Sequence, residues 1–448
     1  MRLDSSMMIS ISGVRGLVGK GINPESAQRF TAAYALGLEE GSVVVGRDSR
    51  ASGVPILHSV MSALNFLGFK VVDLGVVATP TVEIMVEELS ASGGIIITAS
   101  HNGPEWNALK FLDSSGEFIT TDEVDRIRDM VAGDTNLFGI ADSFGEIVSS
   151  DTGDRIHVEK ILELEHIDAR RIASRKFRAV VDCVNGAGSR IVPLLLSTLG
   201  VDTVEIYTDI NSGFPHVPEP RPENLNELSL AVRSENADIG FACDPDADRL
   251  VLVDETGSVC SEELTLSLAA DFILAKEKGP VVSNLSTTRL IDDIASKHGV
   301  EHHRSKVGEA NVIATMKETD AVIGGEGNGG VIYPEIHYGR DAMVGIALIL
   351  QLLCEEGKVL SELVCSLPQY YILKEKFDFR GDFEKLAERA GNIFEGDINT
   401  RDGIRIDMDR GWVHLRMSNT EPVLRVIAEA GSEKTARDLV TKAGKLTD

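Results

Sequence analysis

The sequence has little of what would place it among disulfide-bonded, metal-thiolate or membrane-spanning proteins. Its 448 residues include only five cysteines, an odd number without a CxxC pair, which argues against a disulfide framework or a thiolate metal site. The longest apolar stretches, such as residues 343–354, are too short to cross a bilayer. The N-terminus has no apolar signal-peptide region. We therefore expect a cytoplasmic protein in a reducing compartment.

Basic residues are also scarce: 44 Lys and Arg stand against 70 Asp and Glu, for a net charge of -26. Such an acidic surface repels nucleic acid and anionic lipid, so we predict no nucleic-acid and no membrane partner. A small anionic substrate would need local clusters of Arg and Lys to offset the negative electrostatic potential of this surface. At about 100–200 residues per domain, the length indicates three or four domains.

What the sequence does contain is one pattern of strand, turn, helix and strand that occurs three times. The units begin with the buried-strand sequences SVVVG at Ser42, RAVVDCV at Arg178 and GPVVSNL at Gly279. Each unit continues with a helix, a short apolar strand and then an unusual polar loop, which is ASHNG, CDPDADR or GEGNGG. Because ligands gather at the carboxyl ends of strands in α/β sheets, we expect the three loops to face one cleft.

The pattern changes after Pro368. A strand, a helix, a hairpin with DRG at its turn, another strand and a final helix follow, which indicates a smaller α+β domain. We predict an α/β fold with three similar α/β domains, each a mixed sheet between helices, and a fourth α+β domain. The predicted boundaries are 1–150, 151–253, 254–367 and 368–448.

The first polar loop presents Ser100 just after an apolar strand, beside His101 and Asn102 and ten residues before Lys110. A serine at a strand end can serve as a nucleophile or as a carrier of phosphate. The same triplet also suits an ordinary turn with a helix cap. The loop is not GxSxG, so an α/β-hydrolase triad is unsupported.

The second loop, DPDADR, alternates three carboxylates at Asp244, Asp246 and Asp248. Alternate residues of an extended loop point to one side, and three oxygen ligands suit Mg²⁺ with room for phosphate and water. A calcium EF-hand is a poorer match, since its sixth and twelfth positions would be Arg249 and Glu255. The alternative is a solvated acidic turn. Arg249 could pair with a phosphate oxygen.

Two further loops have the composition of ligand-binding segments. In GGEGNGG, Glu326 and Asn328 are the side chains able to bind sugar hydroxyls, although a flexible hairpin is equally compatible. RMSNTEPVLR offers two arginines around hydroxyl and amide groups, which a phosphate dianion needs. Its candidate residues are Arg416, Ser418, Asn419, Thr420 and Arg425. An N-cap turn before Pro422 is the alternative.

Smaller basic clusters complete the set. Arg15 lies in SGVRG, which we interpret as a Gly-bounded turn, and Lys306 lies in SKVGE. Arg47 and Arg50 flank Asp48. Each could contact phosphate, but for a single cluster an ordinary ion pair is favoured. The glycines near the N-terminus give only a weak dinucleotide fingerprint, and the His302–His303 pair is interpreted as structural.

These loops, in this order, resemble those of the α-D-phosphohexomutase family, and TASHN together with DPDADRL is highly specific. The resemblance implies three α/β domains and a fourth domain like the TATA-box-binding protein. It implies that Ser100 is phosphorylated and, with Asp244, Asp246 and Asp248, holds Mg²⁺. It further implies that Lys110 is the general acid/base, with His101, Arg15 and Arg249 beside the transferring phosphate. Substrate binding falls to Glu326, Asn328, Lys306, Arg416, Ser418, Asn419, Thr420 and Arg425.

The chain departs from the usual family patterns at several positions. Gly103 stands where the family has Pro, GEGNGG replaces GEMSGH or GEQSGH, and SNTEP replaces SGTEP. The set looks most like archaeal-type phosphoglucosamine and phosphomannomutases. The expected reaction is hexose 1-phosphate to hexose 6-phosphate exchange through a hexose 1,6-bisphosphate. Glucosamine is the favoured sugar, and mannose or glucose is the alternative.

Two rival classes stay open at this stage. A metal-dependent sugar phosphatase would release inorganic phosphate, and a non-catalytic sugar-phosphate binder would need no metal triad. The expected partners are therefore a hexose phosphate and a hexose 1,6-bisphosphate, with the chain as a monomer or homodimer.

Overall fold

The computed structural model describes residues 7–133, 136–139, 143–417 and 423–447. The chain divides into two compact units. One runs to Phe272 and includes Asn328–Ser361, and the other comprises Ile273–Gly327 and the chain from Glu362 onward.

The N-terminal region is a seven-stranded mixed sheet with four helices. Its strands are β1 Met8–Ser10, β2 Gly13–Leu17, β3 Ser42–Arg47, β4 Lys70–Val76, β5 Gly93–Ile97, β6 Trp106–Leu112 and β7 Ile147–Ser149. Its helices are α1 Pro24–Ala35, α2 Gly53–Phe66, α3 Thr79–Glu88 and α4 Thr121–Ala132. The strand order is β1-β2-β6-β5-β3-β4-β7, with β5, β3, β4 and β7 parallel and the other pairs antiparallel.

The next region repeats this architecture with fewer strands. Its elements are α5 Gly153–Glu163, α6 Ala169–Arg175, β8 Arg178–Asp182, α7 Gly188–Thr198, β9 Asp202–Ile206, α8 Asn226–Ser234, β10 Ile239–Cys243 and β11 Leu250–Asp254, with a 3₁₀ turn at Pro222–Asn224. The strand order is β11-β10-β8-β9, and only the β10–β11 pair is antiparallel.

The third repeat contains α9 Glu263–Leu274, β12 Val281–Asn284, α10 Leu290–His298, β13 His302–Ser305, α11 Glu309–Thr319 and β14 Ile323–Glu326. Strand β12 pairs in parallel with both β13 and β14. The chain continues through β15 Gly330–Ile332, α12 Ala342–Glu356 and α13 Leu360–Ser366.

All three repeats share one strand arrangement, which confirms the predicted repeat. In each, the first strand lies between the second and the third: β3 between β4 and β5, β8 between β9 and β10, and β12 between β13 and β14. Strands β5 and β10, which precede the serine and aspartate loops, are buried along their whole length. Near-continuous apolar strands covered by helices are typical of parallel α/β sheets.

The C-terminal region is an antiparallel five-stranded sheet with two helices. Its elements are β16 Tyr371–Asp378, α14 Phe383–Ile393, β17 Asp397–Asn399, β18 Ile404–Met408, β19 Gly411–Met417, β20 Val423–Ala430 and α15 Glu433–Gly444, followed by a 3₁₀ turn at Lys445–Thr447. The order is β16-β20-β19-β18-β17. The predicted hairpin is β18–β19, in which Met408 pairs with Gly411. Strand β17 has no counterpart among the elements predicted from the sequence.

One local prediction was wrong: Arg15 lies in a strand, β2, and not in a turn. Strand β2 pairs with β6, so that Arg15 lies opposite Ala108. The cause is Gly13, whose φ of +103° and missing side chain let the backbone approach β6. A Cβ at Gly13 would lie 2.2 Å from the Leu109 carbonyl oxygen. A glycine that permits close strand pairing therefore looked like a turn glycine.

The longest apolar stretch forms α12, whose first thirteen residues are all buried. Among the described residues, no helix is both long and apolar enough to cross a membrane. In the same parts of the chain, all five cysteines are free thiols, and only Cys365 is exposed.

Candidate active site

Two loops that leave equivalent strands of the first unit bring Ser100 and the three aspartates together. Ser100 follows β5, and the aspartate loop follows β10. Each loop contains a residue other than glycine in the left-handed region, with φ of +49° at Ser100 and +51° at Ala247. Such conformations cost about 1–3 kcal/mol each and persist only where surrounding contacts hold them. The contacts that hold both loops are described below.

The three aspartates form a compact, fully buried cluster. Asp244, Asp246 and Asp248 each have 0% relative exposure, and one carboxylate oxygen from each lies within 4.8 Å of the others. Burial and the charges of Asp248 and Asp246 raise the pKa of Asp244 well above its usual value. Three carboxylates this close repel one another in a buried site, and a divalent cation would relieve that repulsion.

One oxygen of each carboxylate is already engaged by the protein. Asp244 Oδ1 accepts hydrogen bonds from the backbone N–H groups of Asp248 and Arg249, both at 3.2 Å. Asp246 Oδ2 accepts from Lys110 Nζ at 2.7 Å.

Two residues that the sequence analysis did not single out complete this pattern. Thr79, the first residue of α3, donates its hydroxyl to Asp246 Oδ2 at 2.8 Å, and Arg340 donates from Nη2 to Asp248 Oδ2. Within the described chain, the buried atoms Asp246 Oδ1 and Asp248 Oδ1 have no hydrogen-bond partner. Orphaned buried carboxylate oxygens are costly, so this donor set fits a hard divalent cation.

Ser100 faces this cluster directly. Its side chain is buried, and its Oγ donates to Asp244 Oδ2 at 2.9 Å. The Nδ1 atom of His101 lies 3.3 Å from the same Oγ. The Arg249 guanidinium, together with burial, holds the pKa of His101 well below its usual value.

A buried ion pair holds the serine loop in place. Arg50 pairs with Asp48, and its Nη2 donates to the carbonyl oxygens of Ser100, at 2.6 Å, and Asn102. Thr98 donates its hydroxyl to Asp48 at 2.6 Å and accepts from the Ser100 N–H at 2.9 Å. The ion-pair interpretation of this cluster is therefore correct, and the pair also fixes the strained conformation of Ser100.

Lys110 projects from β6 into the aspartate cluster. Its Nζ lies 2.7 Å from Asp246 Oδ2 and 3.8 Å from Asp248 Oδ2. Burial alone would raise the pKa of Asp246, but Lys110 and the Thr79 hydroxyl outweigh it and hold that pKa below its usual range. Lys110 thus places its positive charge beside two of the three carboxylates.

Two further arginines border the serine and aspartate loops. Arg15 Nη1 donates to Asn102 Oδ1 at 2.7 Å. Arg249 Nε lies 3.9 Å from Asp244 Oδ2 and 3.8 Å from Asp248 Oδ1, and it has no hydrogen-bond partner in the described part of the chain. The buried Nε–H of this guanidinium can donate a hydrogen bond to an anionic oxygen.

The predicted sugar loop is shorter than expected, because its first residues complete β14. Glu326 is the last residue of that strand and belongs to the second unit. Its Oε1 accepts from Asn284 Nδ2 at 2.8 Å and from the Gly308 N–H at 3.0 Å. Asn328 belongs to the first unit, where its Oδ1 accepts from the Gly330 N–H at 3.2 Å.

The predicted phosphate-binding residues lie in the second unit and are more exposed. Lys306 and Arg425 are exposed, and Arg416 lies opposite Arg425 across strands β19 and β20. Arg416 Nε is 3.0 Å from Asp402 Oδ1. Ser418, Asn419 and Thr420 lie outside the described residues.

The sequence did not reveal Thr79, Arg340 or the hydrogen bonds by which Arg50 holds the serine loop, for different reasons. Thr79 starts a helix in the sequence ATPT, where a threonine next to proline looks like a helix start. Arg340 stands in HYGRDA, about ninety residues from the aspartate it contacts, and no local pattern marks it. Arg50 did lie in a marked cluster, but its two carbonyl partners are about fifty residues away.

Taken together, the first unit offers a hydroxyl, a tri-carboxylate cluster and several cations within one buried site. This arrangement suits transfer of an anionic group, because cations can stabilise its charge while the carboxylates hold a metal. A serine hydrolase needs a histidine that is oriented by a carboxylate. His101 Nδ1 lies 3.3 Å from Ser100 Oγ, but among the described contacts no carboxylate pairs with this histidine.

Family models match the chain in four consecutive segments. The models for phosphoglucomutase/phosphomannomutase alpha/beta/alpha domains I, II and III match residues 7–137, 155–257 and 261–371. The model for the C-terminal domain of the same family matches residues 372–443.

Individual relatives cover nearly the whole chain. A probable phosphoglucosamine mutase of Methanopyrus kandleri is 38% identical over 96% of this chain and 95% of its own length. A phosphoglucomutase/phosphomannomutase of Thermococcus kodakarensis is 36% identical over 97% of both. A crystal structure of a phosphoglucomutase/phosphomannomutase family protein from Burkholderia thailandensis matches with a TM-score of 0.84 and 28% identity, covering 98% of each chain.

Proposed function

The chain belongs to the phosphoglucomutase/phosphomannomutase family of isomerases, and from that premise we propose that it interconverts a hexose 1-phosphate and a hexose 6-phosphate through a phosphorylated Ser100. The observation that carries the proposal is the Ser100 hydroxyl, which lies 2.9 Å from one carboxylate of a buried aspartate triad. A phosphate on that oxygen would adjoin both the triad and the arginines around it.

The chemistry begins with phosphorylated Ser100. A free hydroxyl of the bound hexose monophosphate attacks the phosphorus, the bond from phosphorus to Ser100 Oγ breaks, and a hexose 1,6-bisphosphate forms. The proton of the attacking hydroxyl passes through Lys110 to Ser100 Oγ as the bond from phosphorus to that oxygen breaks. The bisphosphate then reorients, and its other phosphoryl group returns to Ser100 by the same steps in reverse.

We assign the metal site to Mg²⁺ on Asp244, Asp246 and Asp248. The support is the donor set. Asp246 and Asp248 each have one oxygen engaged by the protein and one buried oxygen without a partner within the described residues, and Asp244 Oδ2 is engaged by Ser100 Oγ. Mg²⁺ prefers few carboxylate ligands and retains water or phosphate oxygens. When bound, the cation would neutralise charge that develops on the transferring phosphoryl oxygens.

The remaining side chains take roles in binding. Arg15 and Arg249 border the serine loop and are assigned to the transferring phosphate, with His101 as a hydrogen-bonding group beside it. In the second unit, Glu326 is assigned to the sugar, and Lys306, Arg416 and Arg425 are assigned to the phosphate that does not react. Asn328, Ser418, Asn419 and Thr420 complete the proposed substrate-binding set.

We propose glucosamine 6-phosphate and glucosamine 1-phosphate as the preferred pair. The support is the name of the Methanopyrus relative, whereas the Thermococcus relative carries the name of a glucose and mannose enzyme. Values of kcat/KM on glucosamine, mannose and glucose 1-phosphates test this choice. A preference for mannose or glucose of about tenfold or more would contradict it without affecting the reaction class.

The test of the reaction class is Ser100→Ala. We expect turnover to fall below detection, because the phosphoryl carrier is lost, and we expect the fold to persist. Intact mass after incubation with a hexose 1,6-bisphosphate should show one added phosphate on the wild type and none on the variant. Ser59→Ala is the matched control, since this hydroxyl donates to the Pro55 carbonyl within α2. Activity of Ser100→Ala within tenfold of wild type would contradict the scheme.

The same experiment separates the two rival classes. A metal-dependent phosphatase would release inorganic phosphate in proportion to substrate consumed, whereas a mutase conserves it in the product. A non-catalytic binder would show neither product nor a phosphorylated serine. The burial of Ser100 supports the mutase, because a carrier must be shielded from water to avoid hydrolysis.

A further inference from the structure

Arg340 contacts Asp248 of the aspartate triad, and none of the roles assigned above includes it. We propose that Arg340 determines the metal preference of the site, because it limits Asp248 to a single ligand oxygen and so favours a small octahedral cation over a larger one. The inference rests on the proposed metal site, and it adds a specificity residue to that site.

The starting observation is that all three carboxylates are restricted in the same way. Asp244 is restricted by backbone N–H groups of its own loop, and Asp246 by Lys110 and Thr79. The second oxygen of Asp246 and of Asp248 has no hydrogen-bond partner within the described residues, whereas the second oxygen of Asp244 accepts from Ser100 Oγ. Binding through both oxygens of one carboxylate would require breaking these hydrogen bonds.

Asp248 differs because its restraint comes from far along the chain. Arg340 Nη2 donates to Asp248 Oδ2, whereas Asp248 Oδ1 has no hydrogen-bond partner in the described regions. Both side chains are buried, with relative exposures of 8% and 0%, so water does not substitute for either partner. An arginine–carboxylate bond in a buried site is strong and directional.

The segment that carries Arg340 is held by buried contacts of its neighbours His337 and Asp341. His337 lies 3.3 Å from Glu83 Oε2 and 3.4 Å from Asp341 Oδ2. Asp341 caps α12 by accepting from two backbone N–H groups, and its Oδ2 lies 2.8 Å from His157 Nε2. Arg340 is therefore held between a buried polar network on one side and Asp248 on the other.

The stem of Arg340 also packs directly on a glycine. A Cβ at Gly330 would lie 2.3 Å from Arg340 Cδ, so the guanidinium reaches Asp248 only because position 330 has no side chain. This contact provides a way to displace Arg340 without removing its charge.

The physical consequence concerns the number of ligand oxygens. Mg²⁺ takes six ligands at about 2.0–2.1 Å and retains waters, whereas Ca²⁺ takes six to eight at about 2.3–2.6 Å and often binds both oxygens of a carboxylate. Without Arg340, Asp248 Oδ2 becomes a second available ligand atom and the site loses one positive charge. Both changes strengthen cation binding, but the extra ligand benefits Ca²⁺ more.

The experiment measures the dissociation constants of Mg²⁺ and Ca²⁺ by isothermal titration calorimetry on the full chain. The parent protein for all variants carries Ser100→Ala, so that position 100 cannot be phosphorylated. We expect Arg340→Met to shift the ratio of the two constants toward Ca²⁺ by about tenfold or more. Arg340→Lys, which retains a cation, should stay within about threefold of the parent. Gly330→Ala should shift the ratio in the same direction as Arg340→Met.

The outcomes are distinguishable. An unchanged ratio in both Arg340→Met and Gly330→Ala, with saturable binding preserved, would overturn the role of Arg340 and leave the proposed function intact. Absence of saturable binding in the parent would overturn the metal site itself, and this inference with it. Circular dichroism and thermal unfolding verify that each variant is folded, and Gly330→Ala decides the question if Arg340→Met does not fold.

Discussion

The aspartate triad of the first unit is held more rigidly than Arg416 and Arg425 of the second unit. The triad is fully buried, and each carboxylate has one oxygen fixed by a named donor. By contrast, Arg425 is exposed and Arg416 has 21% side-chain exposure, with Asp402 beside it. Groups that carry out the chemistry gain most from being held rigid, because electrostatic stabilisation depends on dipoles that need not reorganise. Groups that bind a substrate in two orientations gain from adaptability.

This contrast gives a general expectation for substitutions. Changes in the triad should act mainly on kcat and by large factors, since they remove charge that the transition state needs. Changes at the exposed arginines should act mainly on KM and by smaller factors.

Asp246→Asn should have the largest effect. It removes the charge that faces Lys110 at 2.7 Å and one proposed metal ligand, so kcat should fall by at least about 1,000-fold. Steady-state kinetics at saturating Mg²⁺ measures the change. Asp202→Asn is a matched control, because that aspartate pairs with Arg178 on the surface of the same repeat with 65% exposure. Comparable losses in both variants would show that the triad has no special role.

Arg416→Ala should have a smaller effect of a different kind. Loss of one charge-assisted contact to phosphate should raise KM by about 10- to 100-fold while kcat changes less. Initial rates over a range of hexose phosphate concentrations separate the two parameters. Arg437→Ala, which removes an exposed arginine paired with Glu433 on α15, should leave KM unchanged. A fall in kcat without a rise in KM would contradict the division of roles between the two regions.

The same contrast explains how much could be predicted from the sequence. The repeat and the aspartate loop were predictable because their signals are local: apolar strands of short length, and carboxylates at strict alternation after a buried strand. Alternation also predicted that Asp244, Asp246 and Asp248 would converge, as they do within 4.8 Å.

What could not be predicted are the partners that hold those residues. Thr79, Arg340 and the carbonyl groups bonded to Arg50 come from positions that only the tertiary fold brings near the loops. The strand around Arg15 was missed because its local sequence was misleading. Gly13, which is needed for close strand pairing, looks in the sequence like a turn glycine. Local patterns thus indicate which residues take part in the chemistry, whereas long-range contacts decide how they are held.

The smallest predicted effect concerns stability at the buried network behind Arg340. Burial alone would lower the pKa of His337, but hydrogen bonding to Asp341 and the charge of Glu83 outweigh it and raise that pKa from 6.5 to about 10. A histidine whose pKa is raised on folding stabilises the folded state fully below its unfolded pKa. That contribution is lost as the pH rises through the folded pKa. The window for this group is therefore about pH 6.5 to 10.

His337→Gln should accordingly lower the thermal midpoint by a few degrees near pH 6.5, and the difference from wild type should shrink toward pH 10. Differential scanning calorimetry at several pH values measures it. His303→Gln serves as the control, since His303 pairs with Glu301 and has 34% side-chain exposure. A difference that stays constant or grows with pH would mean that His337 acts through packing and not through its charge. In that case packing, and not charge, holds the segment that carries Arg340. The position of Arg340 beside the triad would then depend less on buried ion pairs.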